Sequence, residues 1–187
     1  YAFQFSEDFG HPVMFRSTTR VSHALSGVKL GPVQKLRKKP KWEKRSDLLV
    51  YDSMGAKRNR VKMVERFDKI KENVDSIPFN SLNLADGSKK GIVASGLSYA
   101  YVKEALHHLR LDGKISLLKM GVTYPLSSGL VRDLLENTEE VLVVEELEPI
   151  TEGLVKAYAA EQGFSIRFLG KGLVPLIGEL SMRSALD

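Results

Sequence analysis

Three groups of residues have the types and spacing to do chemistry. Arg20, Ser22 and His23 place a fixed cation, a hydroxyl and a ring that titrates near neutrality within four positions, a set suited to anion binding or proton transfer. The same residues also make ordinary structural hydrogen bonds at the end of a domain, and that simpler role weighs more. Glu145, Glu146 and Glu148 crowd the join between an apolar run and a helical pattern. Neighbouring carboxylates can hold a metal or divide acid and base roles, but acids just ahead of a helix also favour its dipole with no ligand present. Ser95-Gly96 joins another apolar run to a helix start, where backbone N–H groups can cradle a phosphate. It lacks both the G-x-G-x-x-G pattern and a Walker A lysine, so a tight turn is the more economical reading.

Other titratable groups are less promising. His107 and His108 are adjacent, so on a helix they point about 100° apart and cannot share a metal as an i, i+4 pair can. His11 falls in a turn. The chain has no cysteine, which excludes disulfides, thiolate nucleophiles and cysteine-ligated zinc or iron–sulfur clusters from its own repertoire. A phosphorelay receiver would need an acidic pair after the first strand and an aspartate after the third, and neither is present.

The elements that must position these groups follow from composition and period. With 43% hydrophobic and 27% charged residues over 187 positions, the chain has the balance of a globular protein with a packed core. No apolar run approaches the ~20 residues that cross a bilayer, and the start lacks a secretory-signal layout. The expectation is a soluble, cytoplasmic protein. The first residue is Tyr1, and Tyr1 to Phe9 has the spacing of a helix already under way, so we expect a piece of a longer chain. The net charge of +5 is concentrated in Lys35 to Arg45, where Glu43 is the only acid. Such a run can meet phosphate or an acidic protein, but Pro40, the absence of period and the single aromatic Trp42 argue for a solvated linker and against nucleic acid.

Along the chain, a helix over Tyr1–Phe9 and a short strand over Pro12–Phe15 look like the last elements of a preceding α/β domain. Arg16 to Leu30 reads as an ordered loop and Leu48 to Tyr51 as a short edge strand. From Gly55, the recurrence of Met63, Val64, Phe67, Ile70 and Val74 predicts a surface helix that ends at Ile77-Pro78. Leu82 to Lys90, rich in Asn, Asp, Gly and Ser, is the best boundary. Three strand–helix units follow: Gly91–Ala94 with a helix capped by Ser98, Ile115–Met120 with a helix capped by Ser127 or Ser128, and Val141–Val144 with a helix capped by Thr151. The first helix should bury Val102, Ala105, Leu106 and Leu109. Phe164–Leu169 supplies a fourth strand. Apolar strands alternating with amphipathic helices predict an α/β fold, a three-layer α/β/α sandwich around a mostly parallel sheet. The expected divisions are 1–30, the end of one α/β domain; 31–87, basic linker and helix; and 88–187, the sandwich.

Several stretches go beyond this general pattern. Gly91-Ile-Val-Ala-Ser-Gly-Leu-Ser-Tyr-Ala-Tyr-Val-Lys-Glu-Ala105, Lys119-Met-Gly-Val-Thr-Tyr-Pro-Leu126 and Val141-Leu-Val-Val-Glu-Glu-Leu-Glu-Pro149 resemble the middle domain of the alpha subunit of indolepyruvate:ferredoxin oxidoreductases. Phe15-Arg-Ser-Thr-Thr-Arg-Val-Ser-His23 is similar to the end of that subunit's first, pyrimidine-binding-type domain, including an Arg-x-Ser-His element shared with pyruvate:ferredoxin oxidoreductases. The resemblance implies a sandwich like the C-terminal domain of transketolase, with five strands, one of them antiparallel. It also implies a parent enzyme that oxidatively decarboxylates arylpyruvates to the acyl-CoA. That parent uses thiamine diphosphate, Mg²⁺, iron–sulfur clusters and coenzyme A, and its partners are the other domains of the alpha subunit, a beta subunit and ferredoxin.

The family's Gly-Asp-Gly…Asn motif for diphosphate and Mg²⁺ does not occur here, so this stretch is expected to be an architectural piece, inactive alone, that binds none of those cofactors. Only Arg20, Ser22 and His23 match an element that approaches substrate or cofactor. Ser127-Ser128 stands where the family pattern has Pro-Glu, which changes a helix start. Outside the resemblance, the competing readings are an independent module for an anionic metabolite and a basic nucleic-acid-associated protein.

Overall fold

The computed structural model describes residues 1–32, 50 and 52–186. The chain divides into two compact units, Tyr1–Asp68 and Lys69–Asp187. The basic run of Lys35 to Arg45 lies outside the described residues, as does most of the expected strand over Leu48 to Tyr51.

In the first unit, helix α1 spans Ala2–Phe9 and stops at Gly10, whose left-handed φ of 56° lets its N–H reach back to the Ser6 carbonyl. Phe5 and Phe9, four apart on one face, bring their rings to 4.5 Å. The strand expected over Pro12–Phe15 is absent: the segment pairs with no other described strand, Met14 and Phe15 are exposed, and an extended segment without a ladder is not a strand. The expected loop after it contains a one-turn helix, α2, over Thr19–Ser22. Helix α3 runs from Ser53 to Asn73. Within the first unit, its Phe67 ring lies 5.9 Å from the His11 ring. Val64, expected on the same buried face, is exposed, because Met63 and Phe67 take the covered side. Among the described residues, every buried hydrophobic lies at Ile70 or later.

The second unit holds the sheet. A 3-10 turn over Val74–Ser76 leads to strand β1, Ser81–Asn83, then β2, Lys90–Ser95; helix α4, Gly96–His108; β3, Ser116–Met120; α5, Ser128–Glu136; β4, Glu140–Val144; α6, Ile150–Glu161; β5, Arg167–Leu169; and α7, Met182–Leu186. The strand order is β1-β3-β2-β4-β5. The last four strands are mutually parallel, and β1 runs antiparallel along β3 with Leu82 opposite Leu118. A five-stranded sheet with one reversed edge strand is what the family resemblance implies. The reversed strand lies upstream of residue 88, so the sheet begins earlier than the expected boundary.

Alternation along the strands splits the core into two layers. Val93, Leu118, Met120, Val141 and Val143 face Val131, Leu134 and Leu135 of α5 and Val155 and Ala159 of α6. Ile92, Ala94, Leu117 and Val144 face Val102 and Leu106 of α4 on the opposite side. Each fully buried Val, Leu or Met in these layers contributes about 1.5–3 kcal/mol through removal from water.

The strands and helices predicted from Gly91 onward are all present, with shifted ends. Leu109, expected in the buried face of α4, is exposed, because α4 stops at His108 and Arg110 adopts a positive φ of 57° that turns the chain away. The fourth strand is shorter than Phe164–Leu169 and covers only Arg167–Leu169.

Candidate functional site

In a sheet of this order the chain leaves β2 first toward β3 and then crosses to β4. The carboxyl ends of β2 and β4 therefore flank the crevice where open α/β sheets usually bind ligands. Four loops converge on that edge: Ser95-Gly96, Gly121–Tyr124, Glu145–Glu148 and Gly170–Gly172. Helix starts there expose N–H groups with no intrahelical acceptor and favour negative charge.

Two of those helix starts are supplied with charge by the chain itself. Glu145, only 7% exposed, turns its carboxylate onto α6, accepting 2.8 Å hydrogen bonds from the N–H groups of both Thr151 and Glu152. Asp75, on the 3-10 turn, reaches α5: it accepts the Ser127 hydroxyl at 2.5 Å and the Gly129 N–H at 3.1 Å. A Cβ at Gly129 would collide with that carboxylate, so this approach requires glycine. The end of β3 is tied in the same way. Asn80 Oδ1 accepts the N–H groups of Gly121 and Val122, both at 2.9 Å, while its amide donates to the Val74 carbonyl at 3.0 Å.

The β5 end closes through a second acid. Glu152, also 7% exposed, accepts Lys156 Nζ at 2.5 Å and the Lys171 N–H at 3.1 Å. The Lys171 ammonium donates to the Glu145 carbonyl. Burial pushes the Glu152 carboxyl up, but the Lys156 hydrogen bond, the Lys171 N–H and the two ammonium charges outweigh it and hold the group below its ordinary range. The neighbouring acid Glu146 accepts the Leu180 N–H at 3.0 Å. Glu145 and Glu146, two members of the acidic cluster that the sequence marks, therefore work as a helix cap and a loop tie, and Glu148 is exposed.

At α5 and α6 the expected side-chain caps are replaced by these longer reaches, whereas the N-cap of α4 makes no side-chain hydrogen bond. Ser98 lies inside α4, which starts at Gly96 with Ser95 as its N-cap. Thr151 lies inside α6, whose N-cap is Pro149. Ser127 is the N-cap of α5 but gives its hydroxyl to Asp75. The Ser95-Gly96 join is a tight turn with Gly96 at a positive φ of 53°. The acceptor roles of Asp75 and Asn80 carry no local signal, since the groups that donate to their side chains lie 41 to 54 residues away in sequence, whereas Glu152 pairs with Lys156 at the i, i+4 spacing of a helix.

Arg20, Ser22 and His23 lie in the first unit, on and just after α2. Arg20 is half-buried, Ser22 and His23 are exposed, and the Ser22 hydroxyl sits 2.8 Å from that of Ser17. His107 Nδ1 lies 2.9 Å from Asp112 Oδ2, both exposed. Among the described residues, no group of three or more His, Asp or Glu is placed to hold a metal ion, and the sequence has no cysteine for a cluster. The donor set on these elements fits neither a metal-bound diphosphate nor an iron–sulfur centre. No described helix is long and apolar enough to cross a membrane.

Residues 81–172 match the family model of the indolepyruvate oxidoreductase domain. The whole chain is 40% identical to indolepyruvate oxidoreductase subunit IorA of Thermococcus kodakarensis and 38% identical to that of Pyrococcus abyssi, covering 30% of each relative. Over 87% of its length it is 35% identical to IorA of Archaeoglobus fulgidus, covering 27% of that protein. The chain thus spans about 30% of the length of the curated relatives it matches. Among solved structures, a 2-oxoglutarate:ferredoxin oxidoreductase from Magnetococcus marinus, bound to 2-oxoglutarate, coenzyme A and succinyl-CoA, aligns with a TM-score of 0.50. That alignment is 15% identical and covers 73% of this chain and 23% of that one, a likeness of fold. A split-gene transketolase, an inactive beta4 tetramer, aligns with a TM-score of 0.45 at 24% identity over 57% of this chain and 36% of its own.

Proposed function

Because this chain belongs to the indolepyruvate oxidoreductase family, we propose that it is the architectural middle of an IorA-type subunit and is inactive by itself. The parent complex, in this reading, decarboxylates arylpyruvates oxidatively to the acyl-CoA and passes electrons to ferredoxin in the cytoplasm. Thiamine diphosphate, Mg²⁺ and iron–sulfur clusters are held by other parts of the subunit and its beta partner, with coenzyme A as co-substrate.

The observation that carries the reading is the use of Asp75 and Glu145. At the edge where an α/β sheet would receive an anionic ligand, the chain supplies its own carboxylates to α5 and α6. A second anion there would meet like charge at both helix starts, so rigidity is gained where a ligand site would otherwise form. The sheet module, from β1 onward, then acts as a brace resembling the C-terminal domain of transketolase, and residues 1–30 finish a pyrimidine-binding-type domain. Arg20, Ser22 and His23 come near substrate or cofactor only when that domain is whole. No observation favours the independent metabolite module or the nucleic-acid-associated protein over this assignment.

Isothermal titration of the 187-residue chain with thiamine diphosphate plus Mg²⁺, and separately with coenzyme A, tests the reading. It predicts no saturable binding. A micromolar isotherm for either would show that the chain carries a ligand site of its own.

A further inference from the structure

We infer that the carboxyl edge of the sheet around β4 and β5 is the surface that seats another domain of the same subunit, through Leu147, Ile150, Leu173, Leu176 and Ile177. The inference rests on the family reading above and names the contact through which the brace works.

All five side chains are exposed, Ile177 at 87%, Leu173 at 68% and Ile150 at 65%. Leu147 and Ile150 belong to the β4–α6 join, and Leu173, Leu176 and Ile177 to the segment after β5. Two sets of bonds hold these segments together: the Lys171 ammonium donates to the Glu145 and Pro175 carbonyls, and the Leu180 N–H donates to Glu146. Within the second segment, Val174 and Leu180 turn inward and pack with Ala94 and Val102. Their anchoring fixes Leu173, Leu176 and Ile177 outward, so this fold cannot absorb them. Leu147 holds a left-handed backbone, φ 58°, a conformation that L residues with a bulky side chain rarely adopt. Strain of that kind persists where surrounding bonds over-determine it, and here it keeps an apolar side chain at the surface.

The chemistry of the edge selects its occupant. Exposed apolar side chains on braced loops fit a rigid, water-excluding protein surface, whereas the helix starts behind them are already capped and offer no place for a small anion. Among protein occupants, a domain of the same polypeptide is favoured by tethering, which keeps it at millimolar effective concentration. About 70% of the length of each matched relative lies outside the stretch aligned here, so such domains exist in the family.

The test compares Ile177→Lys and Leu173→Lys, made in the full-length IorA-type subunit with its partner and in the 187-residue chain. Leu84→Lys, an exposed position just beyond β1 at the opposite end of the sheet, serves as the control, and Ile177→Ser as a variant that adds no charge. In the isolated chain all four should melt with the wild type. In the full-length subunit the Ile177 and Leu173 variants should raise the rate of limited proteolysis at this domain about tenfold or more, the loss expected of a central apolar contact, while Leu84→Lys should not. Wild-type cleavage rates in the Ile177 and Leu173 variants would overturn the inference. So would a dimer of the isolated chain that Ile177→Lys dissolves, since a second copy would then be the occupant. Failure of the family reading would appear separately, as absence of arylpyruvate turnover by the wild-type complex whatever the proteolysis shows.

Discussion

The carboxylate of Asp75 accepts the hydroxyl of Ser127 at 2.5 Å, joining the 3-10 turn ahead of the sheet to the first residue before α5, 52 positions later. Because the same carboxylate takes the Gly129 N–H, one side chain fixes both where α5 begins and how it meets β1 and β3.

Asp75→Ala removes this cap and strands the Ser127 hydroxyl, which is fully buried. A loss of about 1–3 kcal/mol is expected, read as a lower urea midpoint at unchanged slope. Asp75→Asn, which keeps one acceptor, should lose less.

Asn80 is buried and makes three bonds, to Gly121, Val122 and Val74. Asn80→Ala should cost more than the Asp75 substitution, about 2–4 kcal/mol, because two N–H groups lose their side-chain acceptor and the Val74 carbonyl keeps only the Ile77 N–H. Hydrogen exchange at Gly121 and Val122 should rise above that of the neighbouring β3 amides.

Glu145→Ala should loosen the start of α6 and the loop bearing Leu147 by about 1–3 kcal/mol, since two buried N–H groups lose their acceptor. Glu145→Gln keeps a single acceptor oxygen and should fall between the two. If the carboxylate instead served a bound cation, added Mg²⁺ would stabilise the wild type and not Glu145→Ala, whereas a cap leaves both proteins unresponsive to Mg²⁺.

Glu152 gives the fold an acid limb. Its folded pKa lies below the ordinary value of 4.5, so its contribution is present above that value and is lost as the pH falls through the lower folded pKa. Melting temperature should therefore drop as pH is lowered below about 4.5, and Glu152→Gln should flatten that drop while lowering stability at pH 7. Gly170→Ala should mimic the substitution at pH 7, because its Cβ would run into the Glu152 carboxylate.

Much of the sheet was legible because its strands are apolar on both faces and its helices carry one apolar stripe, signals that survive without knowledge of neighbours. The caps were not. Ser98 and Thr151 have the right residue type near each helix start, but Glu145 reaches the α6 N–H groups from the preceding loop, and a reach of that kind leaves no mark at the helix itself. The β1 strand was hidden for a related reason. Ser81-Leu82-Asn83 is too short to show a period and is a strand only because the free edge of β3 accepts it. Pro12–Phe15 shows the converse, an apolar run with no strand edge to join among the described residues. Arg20, Ser22 and His23 stand out in the sequence by residue type and spacing, yet the residues that shape the sheet's carboxyl edge are Asp75, Asn80, Glu145 and Glu152.

In the proposed function these residues brace a catalytic assembly and contain no active centre. Steady-state turnover of indole-3-pyruvate, with thiamine diphosphate, Mg²⁺, coenzyme A and an electron acceptor supplied, tests it most directly when the 187-residue chain is assayed beside the full-length subunit with its partner. Product is expected from the complete complex and none from the chain; arylpyruvate-dependent reduction of the acceptor by the chain alone would show that it holds an active centre.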